Sequence, residues 1–225
     1  MEEAVKRPAG TSPETRRLYR SPAREAAAEE TRARIRDAAK ELFIANGYQG
    51  TTLKDVAARA GVGERTLYDS FGNKLGLLRH TIAILTMGDE SRVPAADRPA
   101  AAAARELDDP RAALAAHLKL GTDLMNRAGD LILVSQANPG IDADLERTIA
   151  RGTQAAYDVN VRFAQRLASR GELRDGLTAA TAADIMFTLT SPGVFHTLRR
   201  TRHWGQQRYQ DWVVDTATQQ LLHDG

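Results

Sequence analysis

Apolar residues recur at helical spacing along most of the chain. Ile35, Ala38, Ala39, Leu42 and Phe43 form one stripe, and Arg32, Arg34, Arg36, Lys40 and Glu41 lie mostly outside it. This predicts a helix from about Glu29 to Asn46-Gly47, where a glycine can take the left-handed conformation of a C-terminal cap. A second helix starts abruptly. Thr52 is a good N-cap, Asp55 three residues on resembles a capping box, and Leu53, Val56, Ala57 and Ala60 make the apolar face. Gly61 ends it. After Val62 a short helix from about Gly63 to Ser70 turns Leu67 inward, Phe71 closes the unit, and Asn73 caps a fourth helix carrying Leu75, Leu77 and Leu78.

The remainder is also helical by pattern. Helices are predicted over 111–127, 128–137, 142–170, 177–190 and 206–222, with breaks at Asn138-Pro139-Gly140, Gly171, Gly176 and Ser191-Pro192-Gly193. Residues 94–110 read as an irregular connection whose alanines can form a turn or two of helix. No sustained apolar–polar alternation predicts a strand, so the expected fold class is all-α. Residues 1–28 contain Pro8, Gly10, Pro13 and Pro22 with few large apolar groups, which predicts a flexible tail. The expected organisation is a tail (1–28), a small helical domain (29–79) and a larger one (80–225).

Composition narrows the function. The 225 residues include no cysteine, which excludes disulfides and cysteine-based metal or thiol chemistry. No apolar run of ~18 residues exists to span a membrane. The N-terminus lacks the apolar stretch of a secretory signal, so a cytoplasmic protein without membrane partners is expected. The net charge of +2 is unevenly spread: residues 1–80 carry 15 basic against 11 acidic side chains, and residues 81–225 carry 16 against 18. That excess permits a polyanion-binding face without requiring one. The five histidines form no HExxH or other close metal pair, and no GxSxG, Walker or Rossmann pattern occurs. No cofactor, metal or catalytic residue is expected.

A capped helix of about eight residues, a glycine turn and a second short helix describe a helix-turn-helix, although an αα-hairpin inside a bundle has the same local pattern. Gly61 supplies a backbone angle that side chains disfavour, Val62 plugs the angle between the helices, and Ala57 and Ala60 permit a close crossing. Gly63, Glu64, Arg65, Thr66, Tyr68 and Asp69 are left facing away from the core. Such positions reach base edges and phosphates when a recognition helix enters a major groove.

Residues 32–79, RARIRDAAKELFIANGYQGTTLKDVAARAGVGERTLYDSFGNKLGLLR, resemble the DNA-binding domain of TetR-family transcriptional regulators along its whole length. The run LTSPGVFHTLRRTRHWGQQRYQDWVVDTATQQLL is similar to the C-terminal end of many members. The resemblance implies phosphate contacts from Thr52 and Lys74, each at a helix start, and a backbone contact from Tyr68. Helix N-termini favour anions, so both placements are physically sensible. Arg65 and Thr66 are the expected base-edge contacts, because Arg pairs bidentately with guanine and Thr meets a thymine methyl. Departures from the family pattern are Gly63 in place of Ser or Ala, the acidic Glu64, Leu75 in place of an acid, and Asp69 and Ser70 in place of aromatic or His residues.

For residues from about 80 onward, the resemblance implies an effector-binding, homodimerising domain. His117, Leu120, Leu124, Tyr157, Phe163 and Met186 are the candidate ligand contacts, although residues of these types at helical spacing are more often ordinary core. Ile185, Leu189, Val194 and Leu198, with Tyr209, Trp212, Val213, Thr216 and Gln220 on the last helix, are the candidate dimer face. The expected function is a ligand-responsive regulator, with repression the usual sign in the family. It would bind a pseudo-palindromic operator in double-stranded DNA as a homodimer and be released by a small-molecule effector. The alternative is a helix-turn-helix regulator that senses no ligand and acts through protein partners.

Overall fold

The structure, a computed structural model, describes residues 22–87, 97–137, 140 and 143–223. Within them the chain forms α1 (Pro22–Gly50), α2 (Leu53–Ala60), α3 (Glu64–Phe71), α4 (Lys74–Met87), α5 (Pro99–Glu106), α6 (Pro110–Gln136), α7 (Ala143–Ser169), α8 (Ala179–Leu189), the single turn α9 (Pro192–Phe195) and α10 (Gln206–Leu221). A π-helical segment, His196–Thr201, follows α9. No strand occurs among the described residues, so the all-α expectation holds.

Four boundaries differ from the sequence pattern. α1 runs to Gly50 rather than stopping at Asn46-Gly47, and Gly47 (φ 71, ψ 175) is a kink within it, not a left-handed helical cap. α1 begins at Pro22 rather than Glu29, so the described part of the expected tail is helical; residues 1–21 lie outside the described residues. Proline is tolerated in a first helical turn, and the alanine-rich run after it favours helix without large apolar groups to advertise it. Glu29 supports that turn by binding Arg32 and Arg36 at 2.8 and 2.9 Å. These pairings hold the Glu29 carboxyl below its ordinary range, with the Arg36 hydrogen bond the largest cause. Residues 99–106 form a full helix, not an irregular connection. The pieces expected at 111–127 and 128–137 are one continuous α6. Its Gly129 does not break the helix. A Cβ there would stand 2.8 Å from the Phe195 ring, so the glycine marks close packing instead.

Two apolar clusters organise the molecule. The first joins Ile35, Ala39, Phe43, Val56, Leu67, Leu77 and Leu78 from α1–α4, all fully buried. It also takes in Leu131 of α6 and Leu145 of α7, while α1 and α4 both pack on α6. The second is built on α6, α7, α8 and α10 around Leu114, Phe163, Met186, Phe195, Tyr209 and Val213. The small N-terminal unit is therefore seated on the larger one through buried side chains.

Candidate nucleic-acid interface

Local chemistry sets the geometry of α2 and α3. The Thr52 hydroxyl accepts from the Asp55 backbone N–H at 3.1 Å, the expected N-cap, and donates to the Asp55 carboxylate at 2.6 Å, so that carboxylate meets the hydroxyl and not the Thr52 backbone N–H of a capping box. Gly61 takes φ 66, ψ 40 as the left-handed C-cap of α2. α3 starts from Gly63 with no side-chain cap. Leu67 alone among α3 residues is fully enclosed, where it meets the α1 core. Asn73 caps α4 by accepting from the Gly76 N–H at 2.8 Å. Gly76 is needed there, because a Cβ would stand 2.1 Å from the Phe71 carbonyl oxygen.

With Leu67 inward, Gly63, Glu64, Arg65, Thr66, Tyr68 and Asp69 are all exposed on the outer side of α3. Tyr68 is half exposed, unusual for a large apolar ring. Arg65 lies 3.6 Å from Asp69, one helical turn on, an exposed pair that orients the guanidinium weakly. Thr52 is exposed at the start of α2.

Lys74 stands apart from this set. Its side chain is half-buried, and its ammonium donates to the carbonyls of Tyr48 (2.8 Å) and Thr51 (2.9 Å), with Gln49 O at 3.5 Å. The ammonium also lies 4.4 Å from the centre of the Tyr48 ring. Thr51, which sequence reasoning passed over, is fully buried, and its hydroxyl donates toward Leu42 O (3.0 Å) and Gly47 O (2.9 Å). The tandem Thr51-Thr52 was the available signal: the first hydroxyl locks the turn and the second caps the helix.

In the larger domain, His117, Phe163 and Met186 are buried in the core, whereas Leu120, Leu124 and Tyr157 are half-buried. The His117 ring stacks on Phe163 with centroids 4.1 Å apart, and its Nε2–H donates to Asn160 Oδ1 at 2.9 Å. The Asn160 amide donates in turn to Ala156 O, which fixes its orientation. Burial pulls the His117 pKa down to about 4, the Asn160 hydrogen bond opposes this, and Arg105 adds to it. Tyr157 donates to Asp184 at 3.1 Å, which raises the phenol's pKa. None of the six candidate ligand residues lines the open cavity of about 450 Å³ bounded by Ser191, Gly193, Val194, Thr197, Leu198 and Trp212.

Three of those bounding residues, Val194, Leu198 and Trp212, belong to the candidate dimer face. Ile185 and Thr216 are half-buried and Gln220 is exposed. Tyr209 and Val213 are fully buried and Leu189 nearly so, all within the subunit's own core. They back the face from behind and present no surface to a second copy.

Residues 35–81 match the family model for bacterial regulatory proteins, tetR family. The uncharacterized HTH-type transcriptional regulator YvkB of Bacillus subtilis is 26% identical over 75% of this chain and 83% of its own length. Among solved structures, NalD, the secondary repressor of the MexAB-OprM multidrug efflux pump of Pseudomonas aeruginosa, superposes with a TM-score of 0.63. It is 22% identical and covers 88% of this chain and 100% of its own. The triclosan complex of SmeT, repressor of the Stenotrophomonas maltophilia SmeDEF pump, gives 0.64 at 22% identity, covering 87% and 93%. At these identities the two structures establish a shared fold. Residues 35–81 thus form a DNA-binding domain of the TetR-family type, with an exposed recognition helix, on a larger helical body.

Proposed function

We propose that the protein is a ligand-responsive repressor that binds a pseudo-palindromic operator as a homodimer and is released by a small-molecule effector. The observation that carries this reading is the shared core: α4 runs from the helix-turn-helix onto α6, and Leu131 and Leu145 of the larger domain are buried among the residues that hold α3 in place. A change in the larger domain thus has a packed route to the DNA-facing surface. Arg65 and Thr66 read base edges, while Thr52, Gly63, Glu64, Tyr68 and Asp69 form the rest of the DNA-facing set. Val194, Leu198 and Trp212 bound the apolar groove that a second copy covers, with Ile185, Thr216 and Gln220 around it.

The regulator acts in the cytoplasm, on DNA, with no membrane partner. Among the described residues no helix is long and apolar enough to cross a membrane, and no group of three metal-ligating side chains occurs. SmeT's triclosan complex supports a small-molecule effector by kinship. The effector site lies in the domain from about residue 80 onward, with His117, Leu120, Leu124, Tyr157, Phe163 and Met186 its nearest candidates.

The experiment is selection of bound fragments from genomic DNA, followed by titration of candidate small molecules with and without the selected duplex. Trp204 and Trp212 supply the fluorescence. Linkage requires that effector and operator weaken each other by the same factor. Equal effector affinity in both titrations leaves a DNA-binding dimer without ligand control.

A further inference from the structure

Resting on the DNA-binding reading above, we propose that Lys74 is a positioning residue for DNA binding. It clamps the α1–α2 turn to the first turn of α4 and so fixes where Thr52 and α2 stand beside the recognition helix, without itself holding a phosphate.

A lysine ammonium has three N–H donors and no acceptor. Here they meet three carbonyl oxygens, of Tyr48 at 2.8 Å, Thr51 at 2.9 Å and Gln49 at 3.5 Å. The Tyr48 ring, 4.4 Å from Nζ, attracts the charge as well. The Tyr48 and Gln49 carbonyls lie in the last residues of α1, past its kink at Gly47, and Thr51 follows its end, so the partial negative charge of the helix terminus favours a cation there. Turning the ammonium toward a phosphate would mean abandoning the carbonyls and the ring together. Arg65 and Tyr68, by contrast, are exposed and ready for DNA.

The clamp spans 23 residues of sequence and closes on the segment that ends in the cap of α2. Thr51 is already tied to Leu42 and Gly47, and Thr52 follows it directly. The carbonyl of Thr51 accepts from Lys74, and Thr52 then caps α2 through Asp55. A displacement at the clamp therefore moves the N-terminus of α2 as a unit. The other end of the clamp is the first residue of α4, the helix that enters the larger domain.

The test compares Lys74→Met and Lys74→Arg with wild type on a duplex that the wild-type protein selects from randomised DNA. Affinity is measured over a range of salt at a temperature where circular dichroism shows each variant folded. Hydrogen exchange of the α1–α2 turn is followed without DNA. Positioning predicts that both variants lose about tenfold in affinity at every salt concentration, with an unchanged salt slope and faster exchange at the turn. Arginine keeps the charge, but its planar fork cannot converge on three carbonyls, so it does not rescue. If Lys74→Met fails to fold, Lys74→Arg alone carries the comparison. A salt slope lowered by about 1 in Lys74→Met, wild-type binding by Lys74→Arg, and unchanged exchange would overturn the proposal in favour of a direct phosphate contact. Should the wild type select no duplex, the DNA-binding reading fails. The exchange experiment then decides the clamp alone, and unaltered exchange in both variants refutes it.

Discussion

Acidification should destabilise this fold through one identifiable side chain, His117. The ring is stacked on Phe163 and its Nε2–H is held by Asn160, so protonation must occur on the other ring nitrogen, inside a mostly apolar surround with Arg105 nearby. In the unfolded chain the imidazole titrates near 6.5, and in the fold it titrates at about 4. Between those values the unfolded state holds the extra proton, so stability falls as pH falls. The contribution is complete above about 6.5 and drains away toward 4, amounting to roughly 3 kcal/mol over the interval. His117→Gln removes the titration while keeping an amide that can donate to Asn160. Urea unfolding of both proteins, at one fixed protein concentration, should show the wild-type advantage over the variant shrinking by about 3 kcal/mol between pH 7 and pH 4. All other titrating groups cancel in that difference. If the two stability curves run parallel across the interval, His117 is not the buried neutral group described here.

Arg65→Ala should cost about 1–3 kcal/mol for one preferred base in each half-site and relax the preference there; an equal loss on cognate and scrambled duplexes would reduce Arg65 to a backbone contact. Two glycines should respond with opposite signs to alanine. Gly129→Ala forces a Cβ to within 2.8 Å of the Phe195 ring and should lower stability by about 1–3 kcal/mol despite alanine's better helix propensity. Gly152→Ala, with nothing within 4 Å on the exposed side of α7, should instead raise it by up to about 1 kcal/mol. Thermal melts showing the same sign for both would refute the packing argument.

The parts legible in the sequence were those where one residue type has one local use. Thr52 with Asp55, Gly61 and Asn73 each mark a helix end by chemistry that needs no tertiary information, and the structure places all of them as expected. Leu67 was equally readable, because the one aliphatic residue of a short helix otherwise polar or aromatic has one direction in which to point. The start of α1 was hidden because alanine favours helix without producing an apolar stripe. The continuity of α6 was hidden because glycine reads as a breaker unless its partner across the interface, Phe195, is known. Lys74 shows the limit for charged groups. Its position at a helix start suited a phosphate, but its carbonyl partners lie 23–26 residues away and no local pattern announces them.

The same limit applies to how an effector signal would travel. From sequence, α4 is the obvious lever, since it is the segment joining the two domains. The structure adds a second connection in parallel. α1 also packs on α6, and the cluster that seats Leu67 includes Leu131 from α6 and Leu145 from the start of α7. A close-packed core does not deform continuously; it repacks between discrete arrangements. α4 therefore cannot swing while α6 keeps its place, because that would open a void around Leu131 at a cost of a few kcal/mol. An effector contributes only its difference in affinity between two states, typically about 1–3 kcal/mol of coupling. That is too little to empty the shared core. The motion compatible with both magnitudes keeps α1, α4 and the adjoining ends of α6 and α7 together. Any effector-driven change in helix-turn-helix orientation would then have to be taken up farther along α6, between the buried shared leucine and the His117 region, where the second core begins.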